Sequence, residues 1–335
     1  MTIAARMRAI AADPDTPPEA KHVAEKLAEH EESRPEVRVE RSDRYSPDKV
    51  LPVDHEWAAL FADVTAEGQR IAARSHVTIC GMARNVEGIL HCSIARLSQL
   101  CSLFRDWSAV IVENDSNDNT KAMLRELEQQ NRGRVTCSMA DYGYEHLHGW
   151  ERERVARYAK FRNCYRVLSQ DRYPHTDFIL CVDLDPWGGW SVPGLINGLG
   201  WMGRIKDAAG MASTSLYQQD FGGGPIWCHY DTWALRVYGW RHQLLPWKTF
   251  FLPPPGAPPI QVCSAFGAGC WYRPEPFWRH EYASDDGDIE HAGLHRRMSD
   301  DGWKIFLNPA QRTLMHWVVP SDGKEAAGEG RHDAD

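Results

Sequence analysis

The chain has 335 residues, of which 43% are hydrophobic and 25% are charged, which is typical of a globular protein of one or two domains. The net charge of −8, without a long basic run, gives no sign of a nucleic-acid-binding protein. No apolar stretch reaches the roughly 18 residues that span a bilayer, and no secretory signal is recognisable. We therefore expect a cytoplasmic protein with no membrane partner. The nine cysteines form no C-x-x-C pair, which favours small buried thiols over disulfides.

The N-terminal part is predicted to precede the main domain. Residues 1–54 form a helical extension, with two short helices, and then a charged linker that prolines interrupt. An amphipathic helix over 55–73 begins the main domain, which we place at 55–320. Residues 321–335 are polar and glycine-rich, and they are predicted to be a disordered tail.

From residue 76 onward, apolar strand patterns alternate with helical patterns. The predicted strands include HVTICGMARN, SAVIVENDSNDNT, GRVTCSMA and DFILCVDLD, and helices such as ERVARYAKFRNCYRVLS separate them. This alternation predicts an α/β fold, a mostly parallel sheet with helices on both faces. After residue 190 the pattern loosens into glycine-rich turns and short aromatic strands, before a final helix and strand that end at TLMHW.

Polar residues follow three of the predicted strands, at the edge where a parallel sheet binds its ligands. They are Arg84, Asp115 and the pair Asp183 and Asp185. Two carboxylates one residue apart suit Mg²⁺ or Mn²⁺, which take few protein ligands and complete their shell with substrate phosphates. A D-x-D pair alone is a weak signal, since a solvated turn gives the same letters. Its position directly after FILCV favours the metal site.

Six stretches resemble a known family when their order and spacing are taken together. They are VTICGMARNVEGIL, VIVENDSNDNT, ARYAKFRN, FILCVDLD, YDTWALR and DIEHAGLHRRMSDDGWKIFLNP. They resemble the GT-A class of nucleotide-sugar glycosyltransferases, and more narrowly the family of fungal capsule-associated α-1,3-mannosyltransferases. The resemblance implies a GT-A-like, Rossmann-type sheet, a DXD motif and a Mn²⁺ or Mg²⁺ ion.

The resemblance also assigns roles to individual residues around the metal and the nucleotide. Asp185 would bind the metal, with Asp183 near the ribose and donor sugar, and His316 would complete the metal shell. Asp115 would accept a hydrogen bond from the base, and Arg84 would stack on it or bond to it. The plain alternatives are a core histidine for His316 and a structural turn for Asp115.

Further residues are assigned to the sugar, the diphosphate and the acceptor. Arg162 and Asn163 would face the donor diphosphate from a basic helix, which is otherwise a solvated surface. Glu290 or Asp288 would contact the acceptor or donor sugar, and Asp231 the donor-sugar hydroxyls. Asp288 and Glu290 are also favoured at a helix start whatever the function.

The sequence thus predicts a metal-dependent enzyme that moves a hexose, such as mannose or glucose, from a GDP- or UDP-sugar to an acceptor hydroxyl. The fungal resemblance favours retention of configuration. The acceptor is a glycan or, since no membrane anchor is recognisable, a hydroxymethylated base in DNA. A metal-dependent nucleotidyltransferase or phosphohydrolase, and a non-catalytic sugar-binding module, remain alternatives.

Overall fold

The computed structural model describes residues 45–145, 147, 152–240, 246–284 and 287–318, together with eight scattered positions before residue 26. The chain forms two compact units, Met1–Arg38 and Val39–Asp333. Most of the predicted helical extension, much of the linker and the tail at 321–335 lie outside the described residues, so those predictions stay predictions.

Helices and strands alternate in the first half of the larger unit, as predicted. A 3₁₀ turn at His55–Trp57 leads into the helix that was expected over 55–73. The elements are α1 (Pro47–Val50), α2 (Ala58–Ala72), β1 (His76–Ala83), α3 (Glu87–Cys101), β2 (Asp106–Asn114), α4 (Thr120–Gln130), β3 (Val135–Ala140), α5 (Arg152–Arg172) and β4 (Phe178–Asp183).

The second half contains shorter strands, two longer ones and a 3₁₀ turn at Pro246–Phe250. Its elements are β5 (Gly189–Trp190), α6 (Val192–Arg204), β6 (Ala208–Asp220), β7 (Pro225–His229), β8 (Ile260–Val262), β9 (Gly269–Tyr272), α7 (Pro274–Arg279), α8 (Glu290–Asp300) and β10 (Lys304–His316). The predicted final helix and strand are confirmed as α8 and β10. The sequence analysis did not find α6 and β6.

The described strands form one ten-stranded sheet in the order β3-β2-β1-β4-β9-β6-β10-β5, with β7 paired to β6 and β8 to β10. Strands β3, β2, β1 and β4 are parallel, as are β6 and β10. Strand β9 joins the two parallel groups by antiparallel pairing. Helices α3, α4 and α5 provide the crossovers that parallel neighbours require. The predicted α/β architecture, a largely parallel central sheet with flanking helices, is confirmed.

Apolar packing covers both faces of the sheet. Val110 and Val112 of β2 lie in one hydrophobic cluster. Ala109 and Ile111 lie in the other, because successive side chains of a strand point to opposite faces. Residues 179–182 of β4 are likewise buried throughout. A charged side chain of β4 therefore finds solvent only where the strand leaves the core.

Glycines explain why the sequence did not reveal α6. A Cβ on Gly200 would lie 2.1 Å from the carbonyl oxygen of Val64 in α2, and a Cβ on Gly68 of α2 would lie 1.9 Å from that of Ile196. Each glycine lowers helix propensity by about 1 kcal/mol, which weakens the helical pattern in sequence. The same glycines let the two helix backbones approach closely. Tertiary packing therefore stabilises a helix that local propensity disfavours.

The segment at 45–54, predicted as linker, packs against strand β10 and the residue before helix α6. Asp48 accepts hydrogen bonds from the hydroxyl of Ser191 (2.6 Å) and from Nη2 of Arg312 (2.7 Å). Arg312 is 1% exposed, so loss of Asp48 would leave a buried charge without its partner. The ring of Tyr45 lies 5.0 Å from that of Trp317. These contacts make the segment part of the folded unit.

All nine cysteines lie in the described part of the chain and are free thiols, and five of them are buried. Burial raises the pKa values of Cys101 and Cys137 to about 12, so both stay protonated at neutral pH. The prediction of small buried thiols is confirmed for these five positions. Within the described residues, no helix has the length and apolar character needed to cross a membrane.

We predict that Gly200→Ala destabilises the protein by about 1–3 kcal/mol, because the new methyl group meets the backbone of α2. The matched control is Gly203→Ala in the same helix, where the nearest atom is the flexible end of the Ile71 side chain. Urea unfolding should show a distinctly smaller loss for the control. Equal losses in both variants would contradict the close-packing explanation.

Candidate active site

The predicted ligand edge of the sheet is formed by the carboxyl ends of β1, β2 and β4. In the parallel register Met82 pairs with Asp183 of β4, and Ala83 pairs with Glu113 of β2. The three strands therefore end level with one another. Arg84 and Asp115 follow their strands directly at the edge where Asp183 lies.

Asp183 and Asp185 flank a buried leucine at the end of β4. The Asp183 side chain is 28% exposed, whereas Leu184 is 2% exposed. The carbonyl of Leu184 accepts a hydrogen bond from Ser93 Oγ (2.9 Å) of α3, which holds the turn in place. Asp185, one residue further, is exposed. The anchored leucine thus brings both carboxylates out of the core at the same point.

The surroundings of the two carboxyls disfavour their charged forms. Burial raises the pKa of Asp183, although the Arg162 guanidinium opposes the shift. Asp185 keeps access to solvent. Desolvation by the surrounding protein, and then the negative charge of Asp183, nevertheless raise its pKa to about 7. Two such groups bind a cation readily, because a cation relieves their repulsion.

His316 lies near the turn that follows Asp185. The amides of Trp187 and Gly188 donate to the carbonyls of Met315 and Leu314, each at 2.9 Å, which joins that turn to the end of β10. Nevertheless, in the part of the chain that the structure describes, no three His, Cys, Asp or Glu side chains come together to hold a metal ion. The aspartate pair is therefore the core of the candidate site, and ligation by His316 stays a prediction.

Arg162 is buried and links Asp183 to Glu290. Its Nη2 donates to Asp183 Oδ1 (3.1 Å), its Nε to Glu290 Oε1 (2.8 Å) and its Nη1 to the hydroxyl of Tyr165 (3.1 Å). Its side chain is only 5% exposed. Arg162 thus pairs with protein carboxylates below the surface, and its expected contact with a donor diphosphate stays a prediction.

The amide of Asn163 binds backbone instead of facing the site. Its Nδ2 donates to the carbonyl of Tyr282 (2.8 Å), and its Oδ1 accepts from the amide of the same residue (3.0 Å). Arg166 Nε also donates to this Oδ1 (3.1 Å). The geometry thus gives Asn163 a structural role, and its expected contact with the donor stays a prediction.

The carboxylate of Asp231 fixes backbone segments. Its Oδ1 accepts from the amide of Ala234 (3.0 Å) and its Oδ2 from the amide of Gly267 (2.9 Å). Gly267 has a φ of +62° and passes so close to Ser213 that a Cβ would lie 2.0 Å from its carbonyl oxygen. Asp231 therefore holds a tight turn, and its expected contact with sugar hydroxyls stays a prediction.

Asp288 is paired with a buried arginine. Its Oδ1 accepts from Nη2 of Arg236 (2.6 Å) and from the amide of Ile289 (2.8 Å). Arg236 is 1% exposed, so the carboxylate neutralises a buried charge just before α8. A sugar contact by Asp288 likewise stays a prediction.

Asp115 organises the segment that follows β3. Its Oδ1 accepts from the amides of Tyr142 (2.7 Å) and Gly143 (2.8 Å). Partial burial by itself would raise the pKa of Asp115, but hydrogen bonds from the Asn114 side chain and these amides lower it. Nη2 of Arg84 donates to the carbonyl of Tyr144 (2.7 Å) in the same segment. Both residues thus lie at the predicted nucleotide edge. Some of their hydrogen-bonding atoms are already paired with the backbone of residues 142–144.

Tyr230 is a candidate residue that sequence reasoning did not single out. Its ring packs edge-on against His316 (5.9 Å between centroids) and Tyr217 (5.7 Å), and it is 45% exposed. Desolvation by the surrounding protein, and then the charges of Asp185 and Asp231, raise the pKa of Tyr230. A neutral phenol therefore stands beside the acids. The signal was present in YDTWALR, where only the aspartate was considered.

No protein-family model and no curated protein matches the sequence. Among solved structures, a mannosyltransferase from Pyrobaculum calidifontis, solved with GDP-Man and Mn²⁺, is similar at a TM-score of 0.42 and 12% identity, over 96% of this chain and 69% of that one. GalNAc-T7, solved with UDP, GalNAc and Mn²⁺, is similar at a TM-score of 0.43 and 13% identity, over 74% of this chain and 44% of that one. S. aureus TarS 1-349 is similar at a TM-score of 0.40 and 10% identity, over 73% of this chain and 60% of that one.

The present chain therefore spans less than two thirds of the latter two structures. All three scores and identities are too low to transfer a substrate, an acceptor or a catalytic residue to this chain. The narrower resemblance to the fungal family is not confirmed by these matches and stays a prediction.

We predict that Asp185→Asn stabilises the ligand-free protein at pH 8. A carboxyl with a folded-state pKa of about 7, above the ordinary 3.8, destabilises the fold when it is ionised, and this penalty shrinks as the pH falls. Allowing for solvent screening, the gain should be about 1 kcal/mol at pH 8 and smaller at pH 5.

Urea unfolding with a chelator present tests this expectation. The control is Asp207→Asn, because Lys304 lowers the pKa of that surface aspartate and its loss should not stabilise the protein. Destabilisation by Asp185→Asn at pH 8 would contradict the assigned electrostatics.

Proposed function

We propose that this protein is a metal-dependent glycosyltransferase, which moves a hexose from a nucleotide-diphosphate sugar to an acceptor hydroxyl. The observation that carries the proposal is the pair Asp183 and Asp185, which follows the buried residues 179–182 of β4 at the ligand edge of the sheet. The GT-A resemblance of the sequence motifs supports the same function. A hexose such as mannose or glucose, carried by GDP or UDP, follows from that resemblance.

The charges around the pair fit a divalent cation. Four carboxylates and two arginines influence one another here, so the cluster has two more negative than positive charges when all are ionised; they are Asp183, Asp185, Asp231, Glu290, Arg154 and Arg162. Carboxylate oxygens are the ligands that Mg²⁺ and Mn²⁺ prefer, and these ions accept one or two protein ligands together with phosphate oxygens. The aspartate pair is sufficient for such a site.

In the proposed reaction the protein positions the two substrates. Asp183 and Asp185 would hold the cation, whose chemistry is to stabilise negative charge on the leaving diphosphate. Asp115 and Arg84 keep the segment around Tyr142 and Tyr144 at the nucleotide end. Tyr230 offers a neutral hydroxyl and an apolar ring face to a sugar. Retention of configuration, which the resemblance favours, does not require a separate base for the acceptor proton.

A glycan is the proposed acceptor, because an aromatic ring such as that of Tyr230 can cover the apolar face of a sugar while polar groups bind its hydroxyls. A hydroxymethylated DNA base, the other acceptor considered, has no support in the comparisons. The net charge of −8 is also unfavourable for binding the negatively charged phosphates of DNA.

A thermal-shift panel of GDP- and UDP-sugars with Mn²⁺ should identify the donor. We expect a matching donor at 100 times its Kd to stabilise the wild type by about 2.7 kcal/mol. Asp185→Ala should lose this stabilisation, because the cation and diphosphate lose a ligand. The control variant Asp207→Ala, which removes a surface carboxylate elsewhere, should keep it. Equal stabilisation of wild type and Asp185→Ala would contradict the proposal.

The products then separate transfer from its alternatives. With the stabilising donor and an oligosaccharide panel, we expect a glycosylated acceptor and free nucleoside diphosphate. Turnover of the nucleotide without a glycosylated product would instead support a phosphohydrolase. Release of pyrophosphate from a nucleoside triphosphate and a sugar phosphate would support a nucleotidyltransferase.

A further inference from the structure

Arg162 is held from three sides, and each contact uses a different guanidinium nitrogen. Nη2 donates to Asp183, Nε to Glu290 and Nη1 to Tyr165. With 5% of its side chain exposed, Arg162 has almost no surface to offer a ligand. A planar guanidinium bound at every nitrogen has one orientation, so it fixes the carboxylates that it binds.

Stacked rings reinforce this orientation. The guanidinium carbon of Arg162 lies 4.6 Å from the centre of the Phe266 ring, and the His291 ring stacks on Phe266 at 4.0 Å. Burial lowers the pKa of His291, so its ring is neutral and adds no repulsion toward the arginine. A flat, uncharged support of this kind resists rotation of the guanidinium.

Glu290 supplies the remaining constraint. It is 1% exposed at the start of α8, its Oε1 binds Arg162, and its Oε2 has no hydrogen-bond partner among the residues that the structure describes. A carboxylate this buried is costly unless a cation compensates it, and Arg162 is the cation in contact. The contact therefore connects α8 to the end of β4 through a single side chain.

We propose that Arg162 and Glu290 are positioning residues that act on the ligand only through Asp183. Arg162 occupies Oδ1 of Asp183 and leaves Oδ2 for the cation and donor, and Glu290 keeps Arg162 in that place. This inference rests on the proposed function, since it gives Asp183 a ligand. It differs from the sequence-based expectation, in which Arg162 touches the diphosphate and Glu290 touches a sugar.

The test measures binding of Mn²⁺ with GDP or UDP, whichever binds the wild type, by titration calorimetry. Glu290→Gln should weaken binding by about three- to tenfold, because the ion pair with Arg162 becomes a hydrogen bond to an uncharged acceptor. Arg162→Lys should weaken it further, since lysine cannot hold both carboxylates in the same geometry. The matched control is Arg166→Lys, one turn along α5, whose Nη1 donates to the carbonyl of Trp278. It should change binding less than twofold.

A double-mutant cycle with Asp183→Asn separates positioning from direct contact. If Glu290 acts only through Asp183, adding Glu290→Gln to Asp183→Asn should weaken binding no further. Additive effects would overturn the proposal, because they would mean that Glu290 meets the ligand itself. Thermal melting without ligand shows whether Arg162→Lys is folded. If it is not, the isosteric Glu290→Gln variant and the double-mutant cycle still test the positioning role.

The outcomes also separate this inference from the proposed function. A wild type that binds Mn²⁺ with a nucleoside diphosphate while Glu290→Gln binds equally well would overturn the positioning role alone. A wild type that binds no Mn²⁺ with either nucleotide would overturn the proposed function and the positioning role with it.

Discussion

Two carboxylates at the end of an apolar strand, whose charged forms are disfavoured first by desolvation and then by repulsion between negative charges, are the constraint on which the rest of the site depends. Strand β4 is apolar through residues 179–182, and it places Asp183 and then Asp185 where the core meets solvent. Their surroundings raise both pKa values, which means that ionisation here opposes folding. Carboxyls whose ionisation costs stability are enriched at functional sites, which agrees with the proposed cation site.

Arg162 relieves only part of this repulsion. It is shared between Asp183 and Glu290, so one positive charge faces two negative ones before Asp185 is considered. A fully neutralised cluster would have no affinity for a cation. A cluster without Arg162 would leave Asp183 free to turn away. The structure lies between these extremes, with a fixed geometry and an unbalanced negative charge.

The remaining acids show how one residue type takes different tasks in the same protein. Asp231 accepts two backbone amides, and Asp288 neutralises Arg236. Asp115 uses one oxygen to hold the segment after β3. These carboxylates hold backbone or pair with arginine, whereas Asp185 is exposed and accepts no comparable set of hydrogen bonds from the residues that the structure describes. The hydrogen-bond partners of each carboxylate, more than its position in a motif, distinguish a structural acid from one that is available to a ligand.

The sequence by itself determined the alternating helices and strands, the edge where Arg84, Asp115 and Asp183 meet, and the aspartate pair. Those features depend on local periodicity and on the general geometry of parallel sheets. Helix α6, the buried bridge through Arg162 and the backbone role of Asn163 were decided by tertiary structure. Each depends on partners far away in the chain, such as Glu290 for Arg162, and no local pattern encodes which distant side chain will be close enough to bond.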